Sequence, residues 1–307
     1  MLLDTASLYF RAYYGVPDSM TAPDGTPVNA VRGLLDFITR LVGDYRPTHL
    51  ACCWDNDWRP QWRVDLLPSY KAHRVGTELP TPTEGGAHFE EEVPDPLEAQ
   101  IPVILDVLEA FGIAVVGADE HEADDVIGTL ATDAGMPVDV VTGDRDLFQL
   151  VDDDAQVRVL YTARGVGRHE RVTDEVVRSK YGVSGAQYAD FAALRGDPSD
   201  GLPGVPGVGE KTAATLLRRF GDLDGIRAAA LDPDSDLAPG PRRKVKDAAA
   251  YLKVAPKVVG VVRDLDLGAP DLTMPRTPVD PDRLVALAER WGLGGSVARL
   301  VDALAGR

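Results

Sequence analysis

The sequence has few cysteines and lacks any long apolar run. Cys52 and Cys53 are the two cysteines among 307 residues, and they are adjacent. Adjacent cysteines rarely reach disulfide geometry, and two are too few for a disulfide framework. We interpret them as reduced core residues of a cytoplasmic protein. No run of about 18 apolar residues and no secretory signal occurs, so a membrane-spanning helix is not expected.

Basic residues are also scarce, since 32 lysines and arginines are set against 49 acidic residues, giving a net charge of −17. This average disfavours a nucleic-acid partner, because phosphate binding usually needs a basic surface. The simplest interpretation is an acidic, soluble enzyme. Basic residues nevertheless gather locally, for example at residues 59–74 and 242–246, and such clusters are usually only solvated faces. No histidine or cysteine pair has zinc spacing, so zinc is not expected.

The first half of the chain alternates short apolar strands with stretches of helical periodicity. Strands are predicted at residues 1–3, 49–54, 113–116, 138–142 and 156–161, and helices at residues 29–42, 101–111, 122–134, 187–195, 242–254 and 283–304, with a loop at residues 228–241. This alternation implies right-handed crossovers. We therefore predict an α/β fold with a mostly parallel central sheet and helices on both faces.

Acidic residues follow the predicted strands. Asp4, Asp55 and Asp144 each come at or just after a strand end, and such ends converge on one edge of a parallel sheet. A single aspartate there is usually a helix cap, and acids in a first helical turn favour the helix dipole. Further acids nevertheless cluster at three turns, which is more than capping needs. The candidate metal ligands are Asp4, Asp55, Glu122, Asp124, Asp125, Asp144, Asp146, Asp197 and Asp200.

This acidic set points to metal-dependent chemistry. Many carboxylates packed together cannot all stay ionised without cations. All-oxygen ligation suits Mg²⁺ or Mn²⁺, which are hard ions. Two such ions about 4 Å apart can hold both the attacking and the leaving oxygen of a phosphoryl transfer. The sequence therefore predicts hydrolysis of phosphodiester bonds with two or more divalent ions.

A glycine-rich turn follows the acids, with the sequence GLPGVPGVGEKTA at residues 201–213. Its glycines let a backbone approach a phosphate, and helix-start N–H groups attract the anion. A phosphate P-loop does not fit, because the spacing is wrong and no strand precedes it. A helix-hairpin-helix grip on duplex DNA fits better. The candidate DNA-binding residues of this hairpin are Gly204, Gly207, Gly209, Lys211 and Thr212.

Taken together, the motifs resemble the flap endonuclease, or 5′ nuclease, family. The similarity is to the bacterial 5′–3′ exonuclease that often forms the N-terminal domain of DNA polymerase I, here as a stand-alone chain. The matching segments occur in family order over residues 1 to about 255. They are Leu3-Asp4 with Arg11, Trp54-Asp55, the SYKAHR segment at residues 69–74, Glu122-Ala123-Asp124-Asp125, the TGDRDL segment at residues 142–147, and GDPSD at residues 196–200 running into the hairpin.

The resemblance implies two domains. Residues 1–182 would form the metal-dependent nuclease core, with an arch at about residues 70–103 through which a single strand passes. Residues 183–307 would form a helical DNA-binding region with a helix-hairpin-helix-type motif at about residues 187–219. The stretch from residue 76 to residue 96 is acidic, so direct phosphate binding is expected from the residues at the base of the arch instead.

The resemblance also assigns roles to residues. Asp4, Asp55, Glu122 and Asp124 match the ligands of a first metal ion, with Asp124 as the bridge, and the other five acids match those of a second or third ion. The implied catalytic residues are Lys71, Arg74 and Asp125. The implied DNA contacts outside the hairpin are Arg11, Tyr70, Lys71 and Arg74, with Tyr70 stacking on a terminal base. A potassium ion would bind at the hairpin.

The implied activity is that of a structure-specific 5′–3′ exonuclease and flap endonuclease in DNA replication and repair, including Okazaki fragment processing. Its partners would be DNA with 5′ flaps, nicks, gaps or free 5′ ends, acted on by a monomer that cooperates with a DNA polymerase and a ligase.

Three alternatives stay open at this point. The first is a structure-specific DNA-binding protein without nuclease activity. A PIN-like ribonuclease would share the sheet and the acids, but the hairpin favours duplex DNA. A metal-dependent phosphatase would leave Lys71 and the hairpin unexplained.

Overall fold

A six-stranded sheet forms the centre of the molecule in the computed structural model, which describes residues 1–75 and 93–306. Its strands are β1 (Leu2–Asp4), β2 (Ala51–Trp54), β3 (Ala114–Gly117), β4 (Val138–Thr142), β5 (Val157–Tyr161) and β6 (Glu170–Val172). Their order is β3-β2-β1-β4-β5-β6, with β1 to β5 parallel and β6 antiparallel to β5. The prediction of a mostly parallel sheet is confirmed, while β6 was not predicted because three residues show no periodicity.

Helices cover both faces of the sheet, as predicted. They are α1 (Thr5–Gly15), α2 (Asn29–Tyr45), α3 (Gln61–Leu66), α4 (Asp95–Glu98), α5 (Ile101–Phe111), α6 (Ala123–Ala131), α7 (Asp174–Tyr181), α8 (Tyr188–Arg195), α9 (Glu210–Phe220), α10 (Leu223–Leu231), α11 (Pro239–Asp247), α12 (Ala249–Val259), α13 (Pro281–Trp291) and α14 (Gly294–Ala305). Short 3-10 turns lie at Ala72–Arg74, Asp146–Leu150, Val166–Arg168, Gly185–Gln187 and Pro198–Asp200.

The sheet separates two apolar cores, and successive strand residues point into opposite ones. Leu2 packs in the core with α6, α8 and α12, whereas Leu3 packs in the core with α1, α2 and α5. Cys53 and Cys52 divide in the same way, and both are fully buried free thiols. Their interpretation as core residues is confirmed, because a strand turns adjacent side chains to opposite faces.

The C-terminal third differs from its predicted layout. The single helix predicted at residues 283–304 is two helices, α13 and α14, which separate at Gly292 with a left-handed φ of 64°. Both pack in the core that contains α2 and α5. The last two helices therefore pack with the α/β half of the chain.

Two further stretches of the chain differ from their predicted structure. The loop predicted at residues 228–241 contains the end of α10 and the start of α11, and the basic helix predicted at residues 242–254 divides into α11 and α12 at Ala248. No glycine or proline marks that division. Half of the predicted arch, residues 76–92, lies outside the described residues.

Within the part of the chain that the structure describes, no helix is long and apolar enough to cross a membrane.

Candidate active site

The strand order reverses direction between β1 and β4, which are neighbours in the sheet. Ligands of open α/β sheets bind outside the carboxyl ends of the strands at such a reversal. Asp4 is the last residue of β1, Asp144 follows β4 by two residues, and Asp55 directly follows β2. The fold therefore brings these three acids to one edge.

A cavity of about 340 Å³ opens at this edge. Six of the nine candidate acids line it: Asp4, Asp55, Glu122, Asp124, Asp144 and Asp197. Lys71 and Arg74 lie in its wall as well. The cavity thus joins acids from three strand ends, the start of α6 and the 3-10 turn Pro198–Asp200 with two cations from the base of the predicted arch.

A second, narrow pocket of about 10 Å³ shares Glu122 and Asp124 with the cavity and is also lined by Asp146 and Asp200. The Asp146 Oδ1 atom is buried and accepts no hydrogen bond from the described residues. A buried carboxylate oxygen without a donor suits a cation, and an all-oxygen set suits a hard divalent ion. Asp146 and Asp200 therefore extend the cluster inward.

Several carboxylates of the cavity and of the narrow pocket are engaged by neighbouring side chains. Among residues 1–75 and 93–306, no group of three or more histidine, cysteine or acidic side chains is arranged to hold a metal. Basic side chains bind the carboxylates instead. Lys71 pairs with Glu122, Arg74 with Asp200 at 2.8 Å, and Arg195 with Asp197 at 3.0 Å.

Backbone and hydroxyl donors orient several acids. Asp4 caps α1, where its Oδ1 accepts from the Ser7 amide at 3.1 Å, and its Oδ2 accepts from the Thr142 hydroxyl at 2.7 Å. Asp55 Oδ1 accepts from the Ala123 amide at 2.7 Å, which holds it against the first turn of α6. Capping is therefore not an alternative to a role in the cavity, because the same carboxylates do both.

Burial and mutual repulsion disfavour the charged form of these acids. Burial, with the charge of Asp55 second, raises the pKa of Asp4 from 3.8 to about 7. The pKa of Asp124 lies well above its usual value because of burial and then the charges of Asp4 and Asp144. Burial and the charge of Asp144 likewise raise the pKa of Asp146. Cations that enter the site therefore relieve an electrostatic cost.

Lys71 is held by the backbone. Its φ of 48° is left-handed, an uncommon conformation for a residue other than glycine. Its amide donates to the Asp200 carbonyl at 3.0 Å, and its ammonium donates to Glu122. Burial opposes the charge on Lys71, but the acidic groups around it, Glu122 first and then Tyr70 and Asp200, together raise the lysine pKa well above its usual value. Lys71 is therefore a fixed positive charge in the cavity wall.

The position of Tyr70 contradicts the prediction that its ring stacks on a terminal base. Its ring is 4% exposed in the core, and its hydroxyl donates to Glu122 Oε2 at 2.6 Å. A ring buried in this way has no face for a terminal base, so it does not serve as the predicted stacking platform. The sequence could not separate an exposed tyrosine from a buried one because the flanking residues are mixed.

The position of Asp125 contradicts a second prediction, that it is a metal ligand and a catalytic residue. It is fully buried, lines neither pocket, and makes a two-pronged ion pair with Arg63 at 2.7 and 2.8 Å. Adjacent helical residues point about 100° apart, and here Asp124 faces the cavity while Asp125 faces the core. We therefore leave Asp125 out of the proposed ligands and catalytic residues.

Some residues of the site were missed or undervalued in the sequence. Arg63 is 2% exposed and pairs with two acids, although the sequence placed it only within a basic cluster. Arg195 was not selected, and Phe10 and Trp58 line the cavity unpredicted. The partners of Arg63 lie far away in the sequence and leave no local signal, whereas Arg195 pairs with Asp197 only two residues on, a spacing that could have been noticed.

Arg11 lies at the rim of the cavity. Its guanidinium borders Gly143, which lines the cavity, and its Nη1 atom donates to the Ala163 carbonyl at 3.4 Å. This position is consistent with the predicted DNA contact, which stays a prediction.

The hairpin at residues 201–209 presents backbone rather than side chains. Gly204 has a φ of 67°, and a Cβ there would lie 2.5 Å from the Gly196 amide nitrogen. Gly209 precedes α9 without a side-chain cap, and Lys211 is exposed in the first turn of that helix. The carbonyl of Gly207 accepts a hydrogen bond from the Lys244 ammonium at 2.7 Å. Thr212 is half-buried beside this surface.

Comparisons with known proteins identify the family of this chain. Residues 1–182 match the family model of the 5′–3′ exonuclease N-terminal resolvase-like domain, and residues 183–282 match that of the 5′–3′ exonuclease C-terminal SAM fold. A 5′–3′ exonuclease of Streptomyces coelicolor is 62% identical, with 99% of each chain covered. DNA polymerase I of Mycobacterium bovis is 40% identical over 99% of this chain and 32% of its own length.

A solved structure shares the fold. It is the bacteriophage T5 D15 flap endonuclease in a complex with DNA and metal ions, with a TM-score of 0.63 and 16% identity over 99% of this chain and 98% of that one. The two matched domain models and the 62% identical relative show that the chain belongs to the 5′–3′ exonuclease family.

Proposed function

We propose that this chain is a divalent-metal-dependent, structure-specific 5′ nuclease that hydrolyses DNA phosphodiesters near 5′ ends, nicks, gaps and flap junctions. The observation that carries this proposal is the cavity at the β1/β4 edge, where six acids meet the basic residues Lys71, Arg74 and Arg145. Such a set suits phosphoryl transfer, in which the protein positions groups and stabilises charge.

The metal ligands that we propose are eight of the nine predicted acids. Asp4, Asp55, Glu122 and Asp124 would hold a first ion, with Asp124 at the boundary of both pockets as the bridge. The ligands of further ions would be Asp144, Asp146, Asp197 and Asp200. When bound, Mg²⁺ or Mn²⁺ would supply an activated water and neutralise charge on the phosphate.

Lys71 and Arg74 would bind the scissile phosphate. Both line the cavity with the acids, and both are anchored on the turn at Asp200. With Glu122 and Asp200 serving as metal ligands, the Lys71 ammonium and the Arg74 guanidinium that now contact them would be available to a phosphate. A fixed cation beside the reacting phosphorus stabilises the charge that develops there.

The hairpin would hold the duplex next to the cut. Its exposed backbone at Gly207 and Gly209 and the ammonium of Lys211 suit a phosphate backbone, which is read without regard to sequence. The hairpin follows the acidic turn at Asp200 directly in the chain, so a duplex bound there leaves a 5′ end close to the cavity. The potassium ion at this hairpin stays a prediction.

In the cell, this activity would remove 5′ flaps and damaged 5′ ends during DNA replication and repair, including the processing of Okazaki fragments. We propose that the chain acts in the cytoplasm as a monomer, and that a DNA polymerase and a ligase complete the repaired strand.

A cleavage assay tests this proposal. The full chain is incubated with a 5′-labelled flap, a nicked duplex and a blunt duplex, each with Mg²⁺, Mn²⁺ or EDTA. We expect cutting near the flap junction and short products from the nick with either ion, and none with EDTA. Asp124→Asn is the inactive control, and Asp174→Asn, on α7 outside the cavity, is the control that should keep full activity. Binding without cutting under every condition would favour the non-nuclease DNA-binding alternative.

A further inference from the structure

Arg63 is a buried cation whose five N–H donors are all engaged. Its Nη1 donates to Glu122 Oε2 at 2.6 Å and to Asp125 Oδ2 at 2.8 Å, and its Nη2 donates to Asp125 Oδ1 at 2.7 Å. Its Nε and Nη2 also reach the carbonyls of Val258 and Gly260, at 3.1 and 3.3 Å. One guanidinium therefore joins the acid at the start of α6 to the chain that leaves α12.

Asp125 is saturated by the same arrangement. Its Oδ1 accepts from Arg63 and from the Val262 amide at 2.9 Å, while its Oδ2 accepts from Arg63 and from the Glu122 amide at 3.3 Å. Two hydrogen bonds on each oxygen account for the acceptor capacity of a carboxylate. Asp125 thus has no lone pair to offer a metal, in contrast to Asp146, whose buried Oδ1 accepts no bond from the described residues.

Glu122 is oriented by its two oxygens. Oε2 accepts from Arg63 and from the Tyr70 hydroxyl, each at 2.6 Å, so that oxygen is fixed on the core side. Oε1 faces the cavity, where the Lys71 ammonium contacts it. The rotamer of Glu122 is consequently set by residues that do not themselves line the cavity.

The segment of residues 258–265, which we call the strap, packs directly on α6. A Cβ on Gly128 would lie 2.6 Å from the Val262 carbonyl oxygen and 2.7 Å from the Val261 side chain. Thr129 on the next position of α6 donates to the Val262 carbonyl at 3.3 Å. The strap and α6 therefore meet backbone to backbone.

The strap also contacts the 3-10 turn Asp146–Leu150. Gln149 donates from Nε2 to the Asp146 carbonyl at 2.9 Å and to the Val259 carbonyl at 3.0 Å, and its Oε1 accepts from the Val261 amide at 3.0 Å. The strap thereby touches two of the three elements that bring acids to the narrow pocket.

We infer that Arg63 and Asp125 are positioning residues, whose buried ion pair and strap contacts fix Glu122 and the first turn of α6 for metal binding. This inference rests on the proposed function, because it concerns the affinity of the same acids for divalent ions. Residues that orient metal ligands commonly change metal affinity by about 10- to 100-fold when they are replaced. A ligand, in contrast, changes the number of ions bound.

Calorimetric titration of the full chain with Mn²⁺ separates the two roles. We expect Asp125→Asn to bind as many ions as the unaltered protein, but about tenfold more weakly. Asp124→Asn should lose at least one ion. If Asp125→Asn binds fewer ions, Asp125 is a ligand and the inference is wrong. An unchanged affinity would also overturn it.

Gly128→Ala tests the strap without altering any charge. The added methyl must displace the strap, so we expect Mn²⁺ affinity to fall about tenfold while the number of ions stays the same. Gly43→Ala is the matched control, because it is also a helical glycine and a Cβ there meets nothing within 4 Å. Equal affinity in the two variants would refute the role of the strap.

Amide hydrogen exchange gives a readout that needs no metal. In Asp125→Asn, the Val262 amide loses a charged acceptor and should exchange at least about tenfold faster, while amides of α2 stay unchanged. An unchanged Val262 rate would contradict the link between Asp125 and the strap. An unaltered protein that neither binds Mn²⁺ nor cuts DNA would instead refute the proposed function, whatever the exchange rates show.

Discussion

The cavity and the hairpin differ in what they are made of. The cavity consists of buried ionisable side chains, among them Asp4 and Asp124, whose pKa values burial raises. The hairpin offers exposed backbone at Gly207 and Gly209, and it is shaped by glycines such as Gly204 and Gly207 with left-handed φ angles. Substitutions that remove a charge but keep the shape of the side chain should therefore impair the function of the cavity. Substitutions that change the backbone shape but keep the charge should impair that of the hairpin.

The largest expected effect is loss of charge in the cavity. Asp124→Asn keeps the shape of the side chain but removes a proposed bridging ligand, so single-turnover cleavage of a flap should fall on the order of 10³-fold. DNA affinity, measured by fluorescence anisotropy in Ca²⁺, should change little. A variant that cuts at the unaltered rate would remove Asp124 from the proposed ligands.

Loss of the fixed cation should have the next largest effect. Lys71→Ala removes the charge that we place on the scissile phosphate, so the single-turnover rate should fall about 10²-fold. The dissociation constant for DNA should stay within about twofold, because the hairpin is untouched. Lys253→Ala on the far helix α12 serves as a lysine control. If Lys71→Ala weakens binding without slowing the chemical step, its assigned role is wrong.

Changing shape in the hairpin should affect binding and not chemistry. Gly204→Ala puts a Cβ against the backbone of Gly196 in a left-handed conformation. We expect DNA affinity to fall about tenfold and stability to fall by roughly 2 kcal/mol. The cleavage rate at saturating DNA should stay near that of the unaltered protein. A fall in that rate with unchanged affinity would break the contrast between the two regions.

The pH dependence of stability sharpens the same contrast. Because the folded-state pKa of Asp4 is raised from 3.8 to about 7, the folded metal-free protein holds this proton more tightly than the unfolded chain. Its contribution to stability is therefore present below pH ~4 and is lost as pH rises through ~7. Asp4→Asn should flatten this fall by about 1–2 kcal/mol in urea unfolding at pH 5 and 7.5.

The opposite sign in that experiment would count against the raised pKa of Asp4. Divalent metal should restore more stability at pH 7.5 than at pH 5, because protons and metal ions compete for the same oxygens.

The smallest expected effect comes from a surface charge beside the hairpin. Lys211→Ala should weaken duplex binding about threefold and lower the salt dependence by close to one phosphate contact. Glu210→Ala, at the neighbouring exposed position, should leave the salt dependence unchanged or slightly steeper. Equal salt slopes for Lys211→Ala and the unaltered protein would remove Lys211 from the DNA surface.

Sequence reasoning reached the sheet edge because strand ends in a parallel sheet converge. Asp4, Asp55 and Asp144 were selected on that rule, and the structure brings all three to the cavity. The same reasoning could not distinguish Asp124 from Asp125, because both begin a helix and only packing shows which one faces inward. Arg63 escaped detection since its partners lie 59 and 62 residues away.

The prediction of helices and strands was limited in the same way, because it used only local sequence patterns. Periodicity located α2 and α5, whose apolar faces are long. The strand β6 and the division between α11 and α12 carry no glycine, proline or period that would reveal them. The return of α13 and α14 to the nuclease core depends on long-range packing, which no local pattern encodes.

The docking of Lys71 on the acidic turn has a consequence for biosynthesis. The lysine amide binds the Asp200 carbonyl, and the neighbouring Ser69 hydroxyl binds the Gly201 carbonyl at 2.7 Å. A ribosome completes the sheet and its first acids well before residue 200 emerges, and domains generally fold in the order in which they are made. A nascent chain at that stage lacks Asp197 and Asp200, so the amide of Lys71 has no Asp200 carbonyl to bind. If these residues have the roles proposed above, cutting ability is expected to arise late in translation, after the segment that leads into the hairpin is in place.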